Sequence, residues 1–354
     1  MRTAVALSGG IDSLASLVIL REAGHDLLPF HAVFLSHRSS DNGTAEKLEQ
    51  ICQKLKLPFH VLDLTQEFEN LIIKPFISSY LNGLTPNPCA LCNRWIKFGL
   101  VLEKVRSMGA NTMATGHYAG ICRDHSGTSL WRALDHTRDQ SYFLSLVQAE
   151  AFQQVLFPLH DVSKQQAIQI MRQRSIVPPV KKESREVCFV PGDYREFLAG
   201  TVQDRDLFRP GSILNLQGLE IGKHRGLWRY TQGQRKGLGI AYEHPLYVLA
   251  KDARTNTLLA GSKDELLTRT CQAGSMNFLV NPGSWPDRVL VQTRYRQRPG
   301  EAWVSIQGKT MQVLFFKPLE KPAPGQVAAV YSPEGQVLGA GTIKNNEKKP
   351  LIIE

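Results

Sequence analysis

Apolar positions in the first two hundred residues alternate between short continuous runs and stretches with three-to-four spacing. Residues 2–7 form a β-rich run that ends in a glycine turn, and residues 13–23 carry apolar side chains at helical spacing. Residues 28–35 predict a second strand and 44–55 a helix, with an N-cap around Asn42 to Thr44. Residues 58–64 predict a third strand. Farther on, 96–108 predict a helix, 112–115 a short strand leading into Gly116-His117, and 163–173 another helix. This strand–helix alternation predicts a parallel sheet covered on both faces. A polar, proline-marked loop at residues 178–185 precedes Cys188.

From about Leu207 the texture changes. Short β-rich runs lie between glycine and proline turns at 211–216, 220–222, 246–251 and 258–260. A second series follows at 289–295, 303–306, 310–316, 326–331 and 336–344. The expected architecture is α/β at residues 1–205, then a small central β-rich domain at 206–270 and a β-barrel-like domain at 271–354. No internal repeat or low-complexity linker interrupts it.

A chain of 354 residues with 42% hydrophobic and 21% charged residues can bury ordinary cores, which excludes a disordered protein. No apolar run reaches ~18 residues, so no membrane span is expected. The N-terminus turns to glycine too early for a secretory core, and a cytoplasmic location is expected. The net charge of +10 suits a polyanionic partner such as nucleic acid, or serves solubility alone. Six cysteines are too few for a secreted disulfide scaffold.

The run Ala6-Leu7-Ser8-Gly9-Gly10-Ile11-Asp12-Ser13 follows a strand and precedes a helix. Its glycines let the backbone approach a phosphate, and the helix N-terminus offers unpaired N–H groups to an anion. The lysine of a Walker loop is missing. Asp12 is an odd choice for a purely anion-binding turn; it suits holding Mg²⁺ beside a pyrophosphate, or orienting the loop.

The second signal is Thr85-Pro86-Asn87-Pro88-Cys89-Ala90-Leu91-Cys92-Asn93-Arg94-Trp95-Ile96-Lys97-Phe98. The prolines are expected to delay the helix, which places Cys92 near the start of the 96–108 helix. There the dipole, with Arg94 and Lys97, would lower its thiol pKa. A C-x-x-C pair alone reads as a zinc half-site, a redox pair or part of an iron–sulfur site. Cys188 follows a basic loop that includes Arg185. Cys52, Cys122 and Cys271 lack such settings and read as structural.

Farther along, Arg225, Arg229, Arg235 and Lys236 surround Trp228, Tyr230 and Gln232, a mixture that suits RNA phosphates and unstacked bases or a solvated basic face. Arg294, Arg296 and Arg298 alternate along a predicted strand and would share one face, which favours an anionic partner. The terminal Lys344, Lys348 and Lys349 read as solubilising charge.

Seven segments, in order, resemble the tRNA-specific 2-thiouridylase family. They are residues 8–13 (SGGIDS), 85–98, 114–119 (ATGHYA), 139–144 (DQSYFL), 186–189 (EVCF), 233–241 (GQRKGLGIA) and 293–297 (TRYRQ). The loop by itself resembles that of the PP-loop ATP pyrophosphatases. The resemblance implies a PP-loop (adenine nucleotide alpha hydrolase-like) catalytic domain. ATP would activate the C2 oxygen of a tRNA wobble uridine by adenylation, and sulfur would displace AMP. Residues 6–13 would bind ATP with Leu35 and Gly116 near the adenine and ribose. Asn87, Pro88 and Cys89 would lie at the target base. His117, Arg138, Asp139, Gln140, Arg294, Tyr295 and Gln326 would touch tRNA. Cys188 would carry a persulfide and Cys92 would attack it, releasing sulfide and leaving a Cys92–Cys188 disulfide. The implied partners are tRNA and a sulfur donor, either a persulfide carrier or a cysteine desulfurase relay.

Cys89 stands where many members of that family have Asp. With it, Cys89, Cys92 and Cys188 could ligate a 4Fe–4S cluster whose fourth iron binds sulfide; otherwise Cys89 is a neutral replacement and the two-cysteine route holds. Two rival readings remain at this point. One is an adenylating enzyme acting on a small substrate, which would not need the basic β region. The other is a non-catalytic RNA-binding or sulfur-trafficking protein, which would not need the SGGIDS loop.

Overall fold

The computed structural model describes residues 1–35, 43–125, 127–180, 187–190, 192–201 and 209–345. Asn42, most of the loop before Cys188 with Arg185, the boundary at 205/206, and Lys348 and Lys349 lie outside these residues; within the N-cap region expected at Asn42 to Thr44, Gly43 is the cap of the helix Thr44–Lys54.

Five strands form a parallel sheet in the order β3-β2-β1-β4-β7, where β1 is Arg2–Ala6, β2 Asp26–Val33, β3 His60–Asp63, β4 Thr112–Ala114 and β7 Val155–Leu156. The inner strands β1, β2 and β4 are covered on both faces over most of their length, whereas the edge strand β3 turns Val61 to solvent. Helix α1 (Ile11–Glu22) is buried nearly all round, at Leu14, Ala15, Leu17, Val18 and Leu20. It lies between the sheet and the helix Lys164–Gln173. The chain winds outward from β1 to β3 and then returns to place β4 on the other side of β1. That reversal opens a crevice at the carboxyl ends of β1 and β4, where α/β sheets bind ligands.

Three features escaped the sequence pattern. Residues 65–81 form a helical run containing a π-helical turn at Glu69–Ile73. An antiparallel hairpin joins β5 (Gly120–Asp124) to β6 (Gly127–Trp131). The third corrects the expected late helix start: a helical run begins at Pro88 and continues through a ten-residue π-helix, Cys92–Val101, to Ser107. Pro88 occupies the first helical position, where a missing N–H costs nothing. Asn87 caps the run by accepting from the Ala90 N–H at 3.1 Å.

The central module is a four-stranded sheet, β10-β11-β8-β9, formed by β8 (Gly211–Leu214), β9 (Glu220–His224), β10 (Tyr247–Asp252) and β11 (Thr257–Gly261). A closed six-stranded barrel follows. Its strands are β12 (Leu267–Phe278), β13 (Val289–Gln292), β14 (Gly300–Gln307), β15 (Thr310–Glu320), β16 (Val327–Tyr331) and β17 (Val337–Ile343). β12 begins at Leu267 and so runs across the boundary expected at 270/271. β13 stops at Gln292, short of the expected residue 295. Arg294, Arg296 and Arg298 therefore occupy a turn rather than a strand, and Arg296 has φ of +64°. The alternation argument for a shared face lapses with the strand.

The barrel shares a core with the α/β domain. Val327, Ala329, Tyr331, Val337 and Ala340 pack in the same cluster as Phe98, Tyr142 and Phe152, and Trp228 of the central module joins them. Buried polar contacts secure the join: the Asn277 side-chain amide donates to the carbonyls of Ser145 (2.9 Å) and Val147 (2.8 Å), and the Tyr142 hydroxyl donates to that of Val327 (3.1 Å). Among the described residues, no helix is long and apolar enough to cross a membrane.

Candidate active site

The loop between β1 and α1 turns at Gly9, whose φ of +80° is costly for any residue with a Cβ. The Ser13 hydroxyl closes the loop. It accepts from the Ser8 N–H and hydroxyl, each at 3.2 Å, and donates to the Gly10 carbonyl at 2.9 Å. Gly116, at the end of β4, packs on the first turn of α1; a Cβ there would lie 2.7 Å from the Ser13 nitrogen. Leu35 follows β2 at the same edge of the sheet. The residues expected at the nucleotide therefore gather at the crevice.

Asp12 has partners that the sequence reading missed. Lys164 Nζ donates to both carboxylate oxygens at 2.8 Å, and the Tyr118 hydroxyl donates to Oδ1 at 2.7 Å. Lys164 is the first residue of its helix, which Ser163 and Gln166 cap reciprocally. The Ser-x-x-Gln spacing is the sequence signal for that helix start, but it does not show what Lys164 meets. The geometry suits a loop-orienting Asp12. A lone carboxylate beside substrate phosphates is also a donor set that Mg²⁺ accepts; here the ion would take an oxygen that Lys164 engages.

Cys89 and Cys92 lie on the Pro88 helical run. Cys188 lies next to Phe189, which anchors it by packing edge-on against Phe68 and Phe76, with ring centroids 5.6 and 5.1 Å away. All six cysteines are free thiols. A charge on Cys188 opposes ionisation of both Cys89 and Cys92, whereas Lys97 favours the thiolate of all three. Desolvation outweighs Lys97: burial pushes the Cys92 thiol up to about 12 and raises the half-buried Cys89, and the Cys188 thiol shifts the same way although its side chain reaches the surface. This corrects the expectation of a low-pKa thiol, because desolvation of a buried thiolate exceeds what one cation and a helix start return. The Arg94 guanidinium lies over the Trp95 ring, 4.6 Å from the centroid. Cys52 and Cys271 are buried as expected of structural residues, but Cys122 is exposed on the hairpin.

Among the described residues, no three His, Cys, Asp or Glu side chains are close enough to hold a single metal ion. A 4Fe–4S cubane spreads its ligand sulfurs wider than one ion does. Three cysteine thiols are the donor type that such a cluster takes.

The residues assigned to tRNA by resemblance fall into different settings. His117 is wedged between Phe98 and Phe157, with ring centroids 5.7 and 5.9 Å away, and its Nδ1 lies 2.7 Å from the Thr115 hydroxyl. Burial, reinforced by Lys97, holds its pKa well below the usual histidine value, so the ring is neutral at pH 7. Asp139 is 8% exposed. Its carboxylate accepts from Arg132 Nε (2.8 Å), the Ala133 and Ser141 N–H groups (3.1 Å each) and the Ser141 hydroxyl (2.9 Å). With both oxygens engaged inside the fold, its side chain is not available to tRNA, contrary to expectation. Gln140 accepts from the Tyr118 N–H at 3.0 Å, and Arg138 is half-buried beside it. Tyr295 packs against Phe143 at 4.3 Å, and Arg294 is exposed next to it. Gln326 donates both side-chain amide protons to the carbonyls of Thr85 and Pro86, each at 3.0 Å. Any RNA contact by this carboxamide would run through its oxygen.

A cleft of about 820 Å³ lies where the three units meet. Arg195, Lys223, Arg225, Arg229, Lys236 and Arg294 line it, and among the described residues no carboxylate does. Trp228 is buried in the core, 3% exposed, and so is not available to stack on RNA bases as expected, whereas Tyr230 lies in the cleft wall with only 4% of its surface exposed.

The sheet order and the switch-point loop define the N-terminal part as a HUP-class nucleotide-binding domain. Family models agree: residues 1–192 match the tRNA methyl transferase HUP domain, 195–262 the tRNA methyl transferase PRC-barrel domain and 268–343 the aminomethyltransferase beta-barrel domain. The chain is similar over nearly its whole length to proteins named tRNA-specific 2-thiouridylase MnmA. It is 48% identical to that of Nitratidesulfovibrio vulgaris (strain DSM 19637 / Miyazaki F), with 97% of this chain and 99% of the relative covered. It is 46% identical to that of Oleidesulfovibrio alaskensis, with the same coverage, and 43% identical to that of Lawsonia intracellularis, with 98% and 100% covered. The chain belongs to the tRNA-specific 2-thiouridylase family. Among solved structures, the U34-tRNA thiolase NcsA of Methanococcus maripaludis overlaps 56% of this chain and 63% of its own, at TM-score 0.36 and 14% identity, too slight a likeness to carry an argument.

Proposed function

We propose that the chain transfers sulfur to C2 of a tRNA wobble uridine, using ATP bound at residues 6–13. The observation that carries this reading is the similarity over nearly the whole chain to proteins named tRNA-specific 2-thiouridylase, with Cys89 and Cys92 on the helical run that Asn87 caps. An adenylating enzyme acting on a small molecule needs neither three thiols nor a six-cation cleft. A non-catalytic RNA binder has no use for the half-buried Asp12–Lys164 pair at a phosphate loop.

The uridine C2 oxygen attacks the α-phosphorus of ATP, and pyrophosphate leaves. The C2 oxygen then belongs to a good leaving group, AMP. In the two-cysteine route, Cys188 holds a persulfide brought by the donor. Cys92 attacks Cys188 Sγ, the terminal sulfur leaves as sulfide, and the two thiols are oxidised to a disulfide as the persulfide sulfur is reduced. Sulfide adds at C2 and AMP departs with the oxygen. Cys92 must lose its proton first, and Lys97 is the cation that stabilises the resulting thiolate. Asn87, as the helix cap, fixes the loop at the base, and the uridine must leave its stack to reach it. The exposed Arg294 and the cleft cations hold the RNA backbone.

The presence of Cys89 beside the other two thiols favours a second reading of the sulfur source. Cys89, Cys92 and Cys188 would hold three irons of a 4Fe–4S cluster, which would supply a site for inorganic sulfide.

One experiment tests both readings. Protein purified without oxygen is assayed for ATP-dependent 2-thiouridine on unmodified tRNA, with sulfide or with a persulfide-loaded donor, and iron is counted in the same sample. Activity only with the persulfide donor, no iron and tolerance of Cys89→Asp support the two-cysteine route. Activity with sulfide, about four irons per chain and dependence on Cys89 support the cluster. No thiolation with either source overturns the proposed function.

A further inference from the structure

The segment between β15 and β16 meets the approach to the thiol helix. The Thr85 N–H donates to the Pro324 carbonyl at 2.8 Å, and Gln326 Nε2 donates to the Thr85 and Pro86 carbonyls at 3.0 Å each. Two carbonyl partners fix which way the carboxamide points, since its oxygen would repel both. Gly325 has φ of +93°, and a Cβ on it would lie 2.9 Å from the Thr85 oxygen. Gln326 is itself held by the barrel: its carbonyl accepts from the Ile343 N–H at 2.7 Å, and its own N–H donates to the Ala323 carbonyl. Immediately beyond Pro86 come Asn87, the cap of the thiol helix, then Cys89 and Cys92. Three bonds, two of them from the Gln326 side chain, tie the barrel to the loop that leads into the thiol helix.

We infer that Gln326 is a positioning residue. It sets the path of residues 85–87, and through them the placement of Cys89 and Cys92, so that the barrel carrying Arg294 and the thiols form one rigid frame. This goes beyond a contact to RNA and rests on the proposed function only for its kinetic consequence.

The test uses the full-length protein with Gln326→Glu, which puts an acceptor against two carbonyls, and Gln326→Met, which keeps the bulk and removes both donors. Amide hydrogen exchange is followed at residues 85–92 and in β16 and β17, without ATP or RNA. The expected result is exchange about tenfold faster or more at 85–92 in both variants, as the loss of two hydrogen bonds of ordinary net strength gives, with β16 and β17 unchanged. No acceleration at 85–92 in either variant overturns the inference, as does equal acceleration across β16 and β17. In steady-state thiolation, kcat is expected to fall at least about tenfold while KM for tRNA changes less than about threefold. The opposite split makes Gln326 an RNA contact only. Because the exchange measurement needs no substrate, it stands even if the wild-type chain proves not to thiolate tRNA.

Discussion

Lys164 Nζ lies 2.8 Å from each carboxylate oxygen of Asp12, joining the first turn of the helix after the phosphate loop to the start of a helix far along the chain. The side chains are only 13% and 28% exposed, so the pair is screened less than a surface ion pair. Truncating either partner leaves the other charge short of its compensation, at a cost of about 1.5–3 kcal/mol for hydrogen bonds to charged groups. Asp12→Ala is expected to lose tRNA-dependent pyrophosphate release and to lower stability by that order. Lys164→Met should lose comparable stability, and the double variant should lose less than the sum. Additive losses in denaturant unfolding would mean that the pair does not act as a unit.

The buried Cys92 thiol gives a pH signature. Its pKa is raised to about 12, so it is protonated at neutral pH and its thiolate fraction grows as pH rises. Alkylation of Cys92 by iodoacetamide should keep climbing through pH 10 without levelling. Lys97→Met, which removes the cation opposing that shift, should slow it further at every pH. A plateau near pH 8.5 would show an ordinary exposed thiol.

Cys188→Ser is expected to abolish thiolation by the proposed two-cysteine route while leaving tRNA affinity within about threefold, because Cys188 does not line the basic cleft. Retained thiolation removes Cys188 from the reaction.

His117 should remain neutral over the physiological range. Its folded pKa is depressed by burial and Lys97, so it gains a proton only at acid pH. The NMR shift of its ring Hε1 should stay flat from about pH 8 down to the ordinary histidine midpoint of about 6.5. A midpoint near 6.5 would contradict its burial.

Arg294 and Asp139 should separate RNA binding from folding. Arg294→Ala should weaken tRNA binding and reduce the salt slope by about one phosphate contact. Asp139→Ala should leave the slope unchanged but cost about 3–5 kcal/mol, because it strands the half-buried Arg132 and two N–H donors. An unchanged slope for Arg294→Ala places that residue off the RNA surface.

The sequence made the α/β frame and the β1–loop–α1 unit legible, because short apolar runs, glycines and helical spacing are local signals. The start of the thiol helix was not. Proline at 88 reads as a breaker until Asn87 is known to cap it, and a π-helical segment bonded i to i+5 has no apolar period that separates it from an α-helix. The turn after Gln292 hid because alternating arginines mimic a strand. The burial of Trp228 and the Lys164 partner of Asp12 are long-range outcomes, whereas Asp139 turns inward onto near neighbours in sequence, Arg132, Ala133 and Ser141. No spacing in the chain encodes them, and each altered the role that its residue type suggested.

The shared core of the barrel and the α/β domain has a consequence for how the protein is made. Synthesis runs from the N-terminus at ~5–20 residues per second. The helix Tyr194–Thr201 leaves the ribosome on the order of ten seconds before β16 and β17 bring Tyr331, Val337 and Ala340 to cover the face near Phe98 and Phe152. During that interval the nascent nucleotide-binding domain presents an apolar surface that only its own unfinished C-terminus fits. Residues 1–201 produced alone will therefore aggregate or bind chaperones, and supplying the missing barrel as a separate chain is the direct way to rescue their solubility.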